Sequence, residues 1–313
     1  MKYLFELSQD NLPLARAEVE ALAGKGEALG NLLIIDSSKN FADRLALTRA
    51  VYELLFRCRK HDLIGSMKSF DWNNVFRESF RLALHDSKDY SPKDLADYIY
   101  DSLKFPKVDL KSPETRFDLF FIEDEVIAVK LAAKIKRDYN PRKAHNLPSS
   151  HPTTMHPRIT RALINLSGVE KEIVDVMCGS GGFLLEAVHM GLKAKGFDID
   201  YFMLKRARAN TKEYSDLITL ERADATRIKE KFDYIVTDLP YGKNTKKQDL
   251  LKLYTGFLQN LQNILKTRAV IVFPDKIDCQ PLIEKTSLKI KQEFTQYVHH
   301  SLTRKIVVLE PKI

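Results

Sequence analysis

Residues 232–242 read FDYIVTDLPYG. The apolar run ending at Thr237 has the pattern of a strand buried on both faces, as in a parallel sheet. It breaks at Asp238-Leu239-Pro240-Tyr241-Gly242, where proline and glycine impose a turn. In an open α/β sheet, ligands bind beyond the carboxyl ends of the strands, and this turn lies at such an end. A carboxylate, a rigid proline carbonyl and an aromatic ring there can hold a planar base that carries an exocyclic amino group. The stretch therefore predicts group transfer to such an amine, with Asp238, Leu239, Pro240 and Tyr241 as candidate catalytic residues.

Around it, strand and helix patterns alternate from residue 172 onward, as in a doubly wound α/β domain. Strands are predicted at 173–177, 193–197, 218–222, 234–237 and 269–273. Residues 289–298 and 302–309, separated by His299-His300-Ser301, read as an antiparallel pair closing the sheet edge. The first strand runs into Asp175-Val176-Met177-Cys178-Gly179-Ser180-Gly181-Gly182 and then a helix. Glycines at a strand–helix turn let backbone approach a ligand closely. Asp198 ends the second strand and can accept from two ribose hydroxyls; Asp224, followed by Ala225, ends the third and can accept from an adenine amino group. Either acid alone is explained as well by a helix cap or a turn. The ordered set of glycine turn, Asp198, Asp224 and Asp238 is much harder to obtain by chance. A dehydrogenase would use the same scaffold but would want Gly-x-Gly-x-x-Gly at the first turn. The turn here is Cys-Gly-Ser-Gly-Gly preceded by Asp175, which favours S-adenosylmethionine (SAM) over NAD.

The whole chain, 313 residues and 44% hydrophobic, fits two or three globular domains. It has no apolar run of about 18 residues to span a membrane and no signal pattern at its N-terminus. Cys58, Cys178 and Cys279 match no metal or disulfide spacing and suit a reducing cytoplasm. The net charge of +8 is uneven: residues 1–156 hold 24 basic against 23 acidic side chains, and residues 157–313 hold 26 against 19. In 130–145, Lys130, Lys134, Lys136, Arg137, Arg142 and Lys143 are interleaved with Tyr139 and His145. Such a run can grip phosphates and stack on bases, though a solvated strand edge would look the same. Lys243, Lys246 and Lys247, after the Asp238 turn, can hold a nucleic-acid backbone or line a solvated loop. The N-terminal half otherwise reads as α+β, with strands over 1–7, 31–36 and 125–133, helices over 12–22 and 43–57, and a helix start at Ser91-Pro92. Residues 140–157, rich in Pro, Ser, Thr and His, read as an interdomain linker; His151 and His156 lack a further ligand, so no metal is expected.

The segments 175–182, 196–200, 223–224 and 238–242 resemble the motifs of amino-methylating class I SAM-dependent methyltransferases. With His151-Pro-Thr-Thr-Met-His-Pro157 directly ahead of them and an α+β half before that, the chain resembles the archaeal THUMP-domain tRNA guanine-N2 methyltransferases acting at position 10. The resemblance implies a ferredoxin-like α+β domain over 1–55, a THUMP RNA-binding domain over 56–139, a linker over 140–157, and a Rossmann-like methyltransferase domain over 158–313. It implies SAM held by Asp175, Cys178, Gly179 and Gly181 at its methionine part, by Asp198 at the ribose, and by Asp224 and Ala225 at the adenine. Residues 238–241 would hold the target guanine. Lys134, Lys136, Arg137, Arg142, Lys143 and Lys243 would touch tRNA. Leu239 stands where the family's Asp-Pro-Pro-Tyr has its first proline, which leaves N6-adenine methylation as an alternative. A non-catalytic tRNA-binding protein is the other. The expectation is a cytoplasmic enzyme with tRNA as partner, no metal, no membrane and no required partner subunit.

Overall fold

The computed structural model describes residues 1–136, 138–151, 154–242, 247–299 and 302–312, the side chain of Lys247 excepted. The chain divides into two compact units. The first comprises Met1–Gln9, Ala23–Ala42 and Thr48–Ile135; the second comprises Asp10–Leu22, Asp43–Leu47 and Lys136–Ile313.

The elements up to residue 134 are β1 (Lys2–Leu7), α1 (Leu12–Ala23), β2 (Glu27–Leu29), β3 (Leu32–Asp36), β4 (Thr48–Arg59), α2 (Leu63–Ser69), β5 (Phe80–His85), α3 (Pro92–Ser102), β6 (Thr115–Ile122) and β7 (Glu125–Lys134). The strands form one seven-stranded sheet, ordered β2-β3-β1-β4-β7-β6-β5. Its largest core side chain, Trp72, is sealed by Phe56, Phe70 and Phe117 at ring separations of 4.9 to 6.1 Å, and its indole N–H donates to the Met67 carbonyl at 2.8 Å. α3 starts as its sequence predicts: the Ser91 hydroxyl accepts the Asp94 N–H at 3.3 Å, with Pro92 at the first helical position.

The helix expected over 43–57 is instead a turn followed by strand β4. Val51, Tyr52, Leu54 and Phe56 satisfy helical spacing and strand packing alike, and the β-branched and aromatic content suits a pleated surface. What decides between them is non-local: β4 is flanked on both edges, by β1 and by β7. The division expected at residues 55 and 56 falls inside this strand.

The second unit contains α4 (Pro157–Leu166), β8 (Glu172–Asp175), α5 (Gly182–His189), β9 (Lys193–Asp198), α6 (Tyr201–Asn210), β10 (Ile218–Arg222), β11 (Phe232–Asp238), α7 (Lys247–Ile264), β12 (Leu265–Pro274), α8 (Gln280–Glu284), β13 (Leu288–His299) and β14 (Leu302–Pro311). Its sheet is ordered β10-β9-β8-β11-β12-β14-β13, with parallel pairing from β10 to β12. This is the doubly wound α/β architecture. β14 runs antiparallel to both β12 and β13 and lies between them, so β13 forms the edge. His300 and Ser301, between the two strands in sequence, lie outside the described residues. Strand order reverses between β8 and β11, which opens a crevice at their carboxyl ends. Beneath it, Ile235, Phe257, Leu261, Ile271 and Phe273 belong to one buried cluster.

Two segments join this unit that their sequence did not assign to it. Glu18 of α1, fully buried, accepts the N–H groups of Ala46 and Leu47 at 2.8 Å each and the Asn165 amide at 2.7 Å. A buried carboxylate bonded this way fixes the 43–47 turn between α1 and α4. Residues 140–151 and 154–157 are anchored rather than free-running: Tyr139, Leu147 and Met155 are buried beside or within them. Proline and serine there mark irregular backbone, which is compatible with fixed packing.

Candidate active site

Four carboxylates collect at the strand ends along one edge of the sheet. Asp175 ends β8, Asp198 ends β9, Asp238 ends β11, and Asp224 follows β10 by two residues. Asp175 faces inward. It is 1% exposed, and its Oδ1 accepts the Thr237 hydroxyl at 2.7 Å and the Met177 N–H at 3.1 Å, tying the glycine turn to β11. The Asp175 side chain, buried between the neighbouring strands, supports the turn that was expected to border the cofactor. Burial pushes its pKa up to about 7, and the charges of Asp198 and Asp238 add to this against the two hydrogen bonds. A carboxyl whose folded pKa exceeds its ordinary 3.8 stabilises the fold fully below about pH 4 and loses that contribution as pH rises through about 7. Asp175→Asn should remove this slope, worth up to about 4 kcal/mol. Melting of the two proteins at pH 5 and pH 8 checks it: the wild type should lose more stability than the variant between those values.

The turn after β8 is locked at both ends. The Cys178 N–H donates to the Phe197 carbonyl and the Gly181 N–H to the Cys178 carbonyl, each at 2.8 Å. Gly179 and Gly181 have φ of 52° and 87°. A Cβ on Gly181 would lie 3.3 Å from that of Ala207, so left-handed backbone and close approach to α6 both require glycine there. Asp198 Oδ2 accepts the Gly179 N–H and Oδ1 the Asp200 N–H, both at 2.8 Å. Burial raises its pKa. Asp224 Oδ1 accepts the N–H and hydroxyl of Thr226 at 2.9 and 2.8 Å, which lowers its pKa. Cys178 and Ala225 are buried beneath this surface. The Cys178 sulfur packs against Gly196, where an added Cβ would sit 3.1 Å away, and burial pushes the thiol pKa up, so its side chain serves packing. The Ala225 carbonyl accepts the Asn260 amide at 2.9 Å.

Sequence reading missed the clamp on the other side of the turn. The Thr154 and Ser180 hydroxyls are hydrogen-bonded at 2.8 Å, and the Asn210 amide donates to the Ser180 carbonyl at 2.9 Å. Asn210 also accepts the Ser149 N–H at 2.8 Å. Of this clamp, Thr154 lies in the His-Pro-Thr-Thr-Met-His-Pro stretch expected to be a linker ahead of the domain, and Ser149 and Asn210 carry no motif of their own. His156 itself caps α4, its Nδ1 accepting the Arg158 N–H at 3.2 Å. Together the turn offers open backbone at Gly179, two carboxylates that each retain lone pairs, and an apolar side chain, Ile199, 61% exposed beside Asp198. That set fits a ligand with a diol and a flat ring, as in the nucleoside of SAM.

At the end of β11 the Asp238 turn is rigid. The Leu239 N–H donates to the Val272 carbonyl at 3.0 Å and its side chain is in the core, so the departure from proline is taken up by packing. The Pro240 carbonyl accepts the Tyr254 hydroxyl at 2.6 Å. The Tyr241 hydroxyl donates to Asp238 Oδ1 at 2.7 Å and accepts from Arg304 Nε at 2.9 Å. Arg304, on β14, lies 3.9 Å from Asp238 Oδ2. Burial raises the Asp238 pKa to about 6, against the Arg304 charge and the Tyr241 hydrogen bond. Nothing local to 238–242 announced Arg304, 63 residues beyond Tyr241.

Of the expected RNA contacts, Lys134 and Lys136 are exposed and Lys143 is half-buried. Arg142 is placed otherwise. Its Nε donates to Glu186 Oε1, while Arg161 Nε donates to Oε2 at 3.2 Å, and both guanidinium groups lie over the Tyr139 ring at 5.7 and 5.9 Å. Glu186 is buried, and the Arg142 charge compensates it. Arg137, Lys243 and Lys246 lie outside the described residues. Among the described residues, no group of three or more His, Cys, Asp or Glu is placed to hold a metal, and no helix is long and apolar enough to cross a membrane.

Residues 145–306 match the family described as RMKL-like, methyltransferase domain. The tRNA (guanine(10)-N2)-dimethyltransferase of Methanothermobacter thermautotrophicus is 32% identical, with 99% of each chain covered. The enzyme of the same name from Pyrococcus abyssi is 30% identical over 96% of each. TrmN from Thermus thermophilus shares the fold, with a TM-score of 0.50 at 19% identity, over 99% of this chain and 100% of that one. An acid at the carboxyl end of each strand beside the switch point, a glycine turn between them, and full-length relatives carrying one name lead to one conclusion: the chain belongs to the tRNA (guanine(10)-N2)-dimethyltransferase family and is built on an RMKL-like methyltransferase domain.

Proposed function

We propose that this chain methylates the exocyclic N2 of a guanosine in tRNA, using SAM, at position 10 and through to the dimethylated product, as the names of its relatives indicate. The observation that carries the reading is Asp238, held at the end of β11 in the same crevice as the Gly179–Gly181 turn, with Oδ1 occupied by Tyr241 and Oδ2 free of any hydrogen bond among the described residues. SAM supplies a methyl group already activated by its sulfonium. Asp198 and Asp224 would accept from its ribose and adenine, and the backbone at Gly179 and Gly181 would border its methionine part.

The N2 lone pair of guanine is delocalised into the ring, so the protein's task is alignment and proton removal. Asp238 Oδ2 would accept an N2–H, orient the nitrogen, and take the proton as positive charge develops there. The Leu239 carbonyl is the better second acceptor, since that of Pro240 already receives Tyr254. Tyr241, tethered by its hydroxyl, would pack against the base. A stem guanine must first leave its stack, at a cost of a few kcal/mol. The first unit is read as the RNA-binding part, a THUMP-type domain with its N-terminal α+β portion, and Lys134, Lys136 and Lys143 as backbone contacts. A cytoplasmic location follows from a tRNA substrate and from three free cysteines.

The test is to incubate full-length protein with unmodified tRNA and SAM and to analyse the nucleosides by mass spectrometry. N2-methyl- and N2,N2-dimethylguanosine are expected. N6-methyladenosine would replace the proposed acceptor, and no methylated nucleoside would leave a tRNA-binding protein without this activity.

A further inference from the structure

We propose that Arg304 selects guanine over other purines by donating from its Nη groups to the base O6, while Asp238 receives N2–H at Oδ2 and N1–H at the second lone pair of Oδ1, beside the Tyr241 hydroxyl. This rests on the guanine-N2 reading above and extends it to the opposite side of the base edge. Arg304 is 6% exposed, at the start of an interior strand, and it reaches the site across β12. A guanidinium has five N–H donors. Nε spends one on the Tyr241 hydroxyl at 2.9 Å, and the nearest Asp238 oxygen, at 3.9 Å, is beyond hydrogen-bond reach. Among the described residues, neither Nη has a hydrogen-bond acceptor. The Nη atoms are not among the buried unpartnered ones, so they keep access to solvent and are available to donate to a ligand. Gln296 adds a second open group: it sits directly opposite Arg304 in the β13–β14 ladder, on the same face of the sheet, and its Oε1 is buried without a partner.

The order of these groups matches one base. Along its Watson–Crick edge guanine presents O6 as acceptor, then N1–H and N2–H as donors. A carboxylate with a guanidinium at its flank is the complement of that order. Adenine cannot satisfy it. With its N6 amine on Asp238, the N1 lone pair would face the carboxylate and only C2–H would face Arg304. A site built to hydrogen-bond a polar group rejects the analogue that lacks it far more strongly than an apolar pocket can. Arg304 is thus a specificity residue, and the base identity that Asp238-Leu-Pro-Tyr leaves open is set from β14.

The experiment compares tRNA carrying guanosine with tRNA carrying 6-thioguanosine at the target position. The analogue keeps N1–H and the 2-amino group but replaces O6 by a poor acceptor. Wild-type protein should prefer guanosine by roughly ten- to a hundredfold in kcat/KM, the range for a hydrogen bond to a charged group. Arg304→Met should be slower on both and bring that preference within about twofold, whereas Arg304→Lys should retain part of it. SAM binding by calorimetry confirms that each variant is folded. Equal use of the two substrates by the wild type overturns the proposal without any variant, and so does an undiminished preference in Arg304→Met. If the wild type forms no N2-methylguanosine on natural tRNA, the guanine-N2 reading itself falls and this proposal falls with it. The natural-substrate arm separates that failure from the others.

Discussion

Alanine at Asp238 is expected to lower methyl transfer by roughly 10²- to 10⁴-fold, the range for losing a positioned proton acceptor, with SAM affinity nearly unchanged. The side chain does two jobs in the proposed mechanism, orienting N2 through Oδ2 and accepting its proton. The cofactor turn is held by other groups, Asp175, Asp198 and Asn210. Alanine also strands the buried Arg304, whose charge Asp238 partly compensates, so some loss of stability accompanies the variant. Asp238→Asn separates the effects. It keeps a hydrogen-bond acceptor for Tyr241 but has no charge and presents an N–H where the base needs an acceptor. Near-normal turnover in the asparagine variant would remove Asp238 from the chemistry. The pH dependence gives a further check. With the pKa raised to about 6, the ionised form required for acceptance accumulates as pH rises through 6, so kcat/KM should climb to a plateau above about pH 7 and fall tenfold per unit well below 6. The small residual rate of the asparagine variant should lack that acid limb.

Asp198→Ala should weaken SAM binding by about a hundredfold or more, read by calorimetry. Each hydrogen bond to a charged group contributes about 1.5–3 kcal/mol, and this carboxylate is shared between the protein and the proposed ligand. It accepts the N–H groups of Gly179 and Asp200, which sets the glycine turn against β9, and it keeps lone pairs for ribose hydroxyls. Asp224→Ala should cost less, about tenfold, because it would accept from a single adenine amino group and does not hold the glycine turn, whereas Asp198 would accept from two ribose hydroxyls and also binds the Gly179 N–H. The order of the two losses is the diagnostic result: equal losses, or a larger one at Asp224, would reverse the assignment of ribose and adenine ends.

Much of the catalytic unit was legible along the chain because its information is local. Each βα step carries a buried strand, a turn and a helix start in some twenty to thirty residues, and in a parallel sheet every strand delivers its terminal acid to the same edge. Thus the glycine turn, Asp198, Asp224 and Asp238 could be placed from spacing alone, and the tail could be read as an antiparallel pair. Where two periods fit one segment, the chain alone was undecided. Residues 48–59 became a strand because β1 and β7 both offered it edges.

Side-chain partners across the sheet were the other limit. The surroundings of Asp175, Cys178 and Arg142 were not readable along the chain, because burial beside Thr237, Gly196 and Glu186 depends on which strands and helices pack together. Thr154 joined the glycine turn because a proline-rich stretch packed instead of swinging free. What the linear order of residues determined about this protein is a doubly wound SAM-type crevice with a carboxylate poised over it. What only the tertiary structure decided is which cation stands beside that carboxylate. Inserting β14 between β12 and β13 brings Arg304 to Asp238 and Tyr241, and no spacing along the chain encodes a side-chain contact that spans 63 residues and depends on β12 pairing with β14.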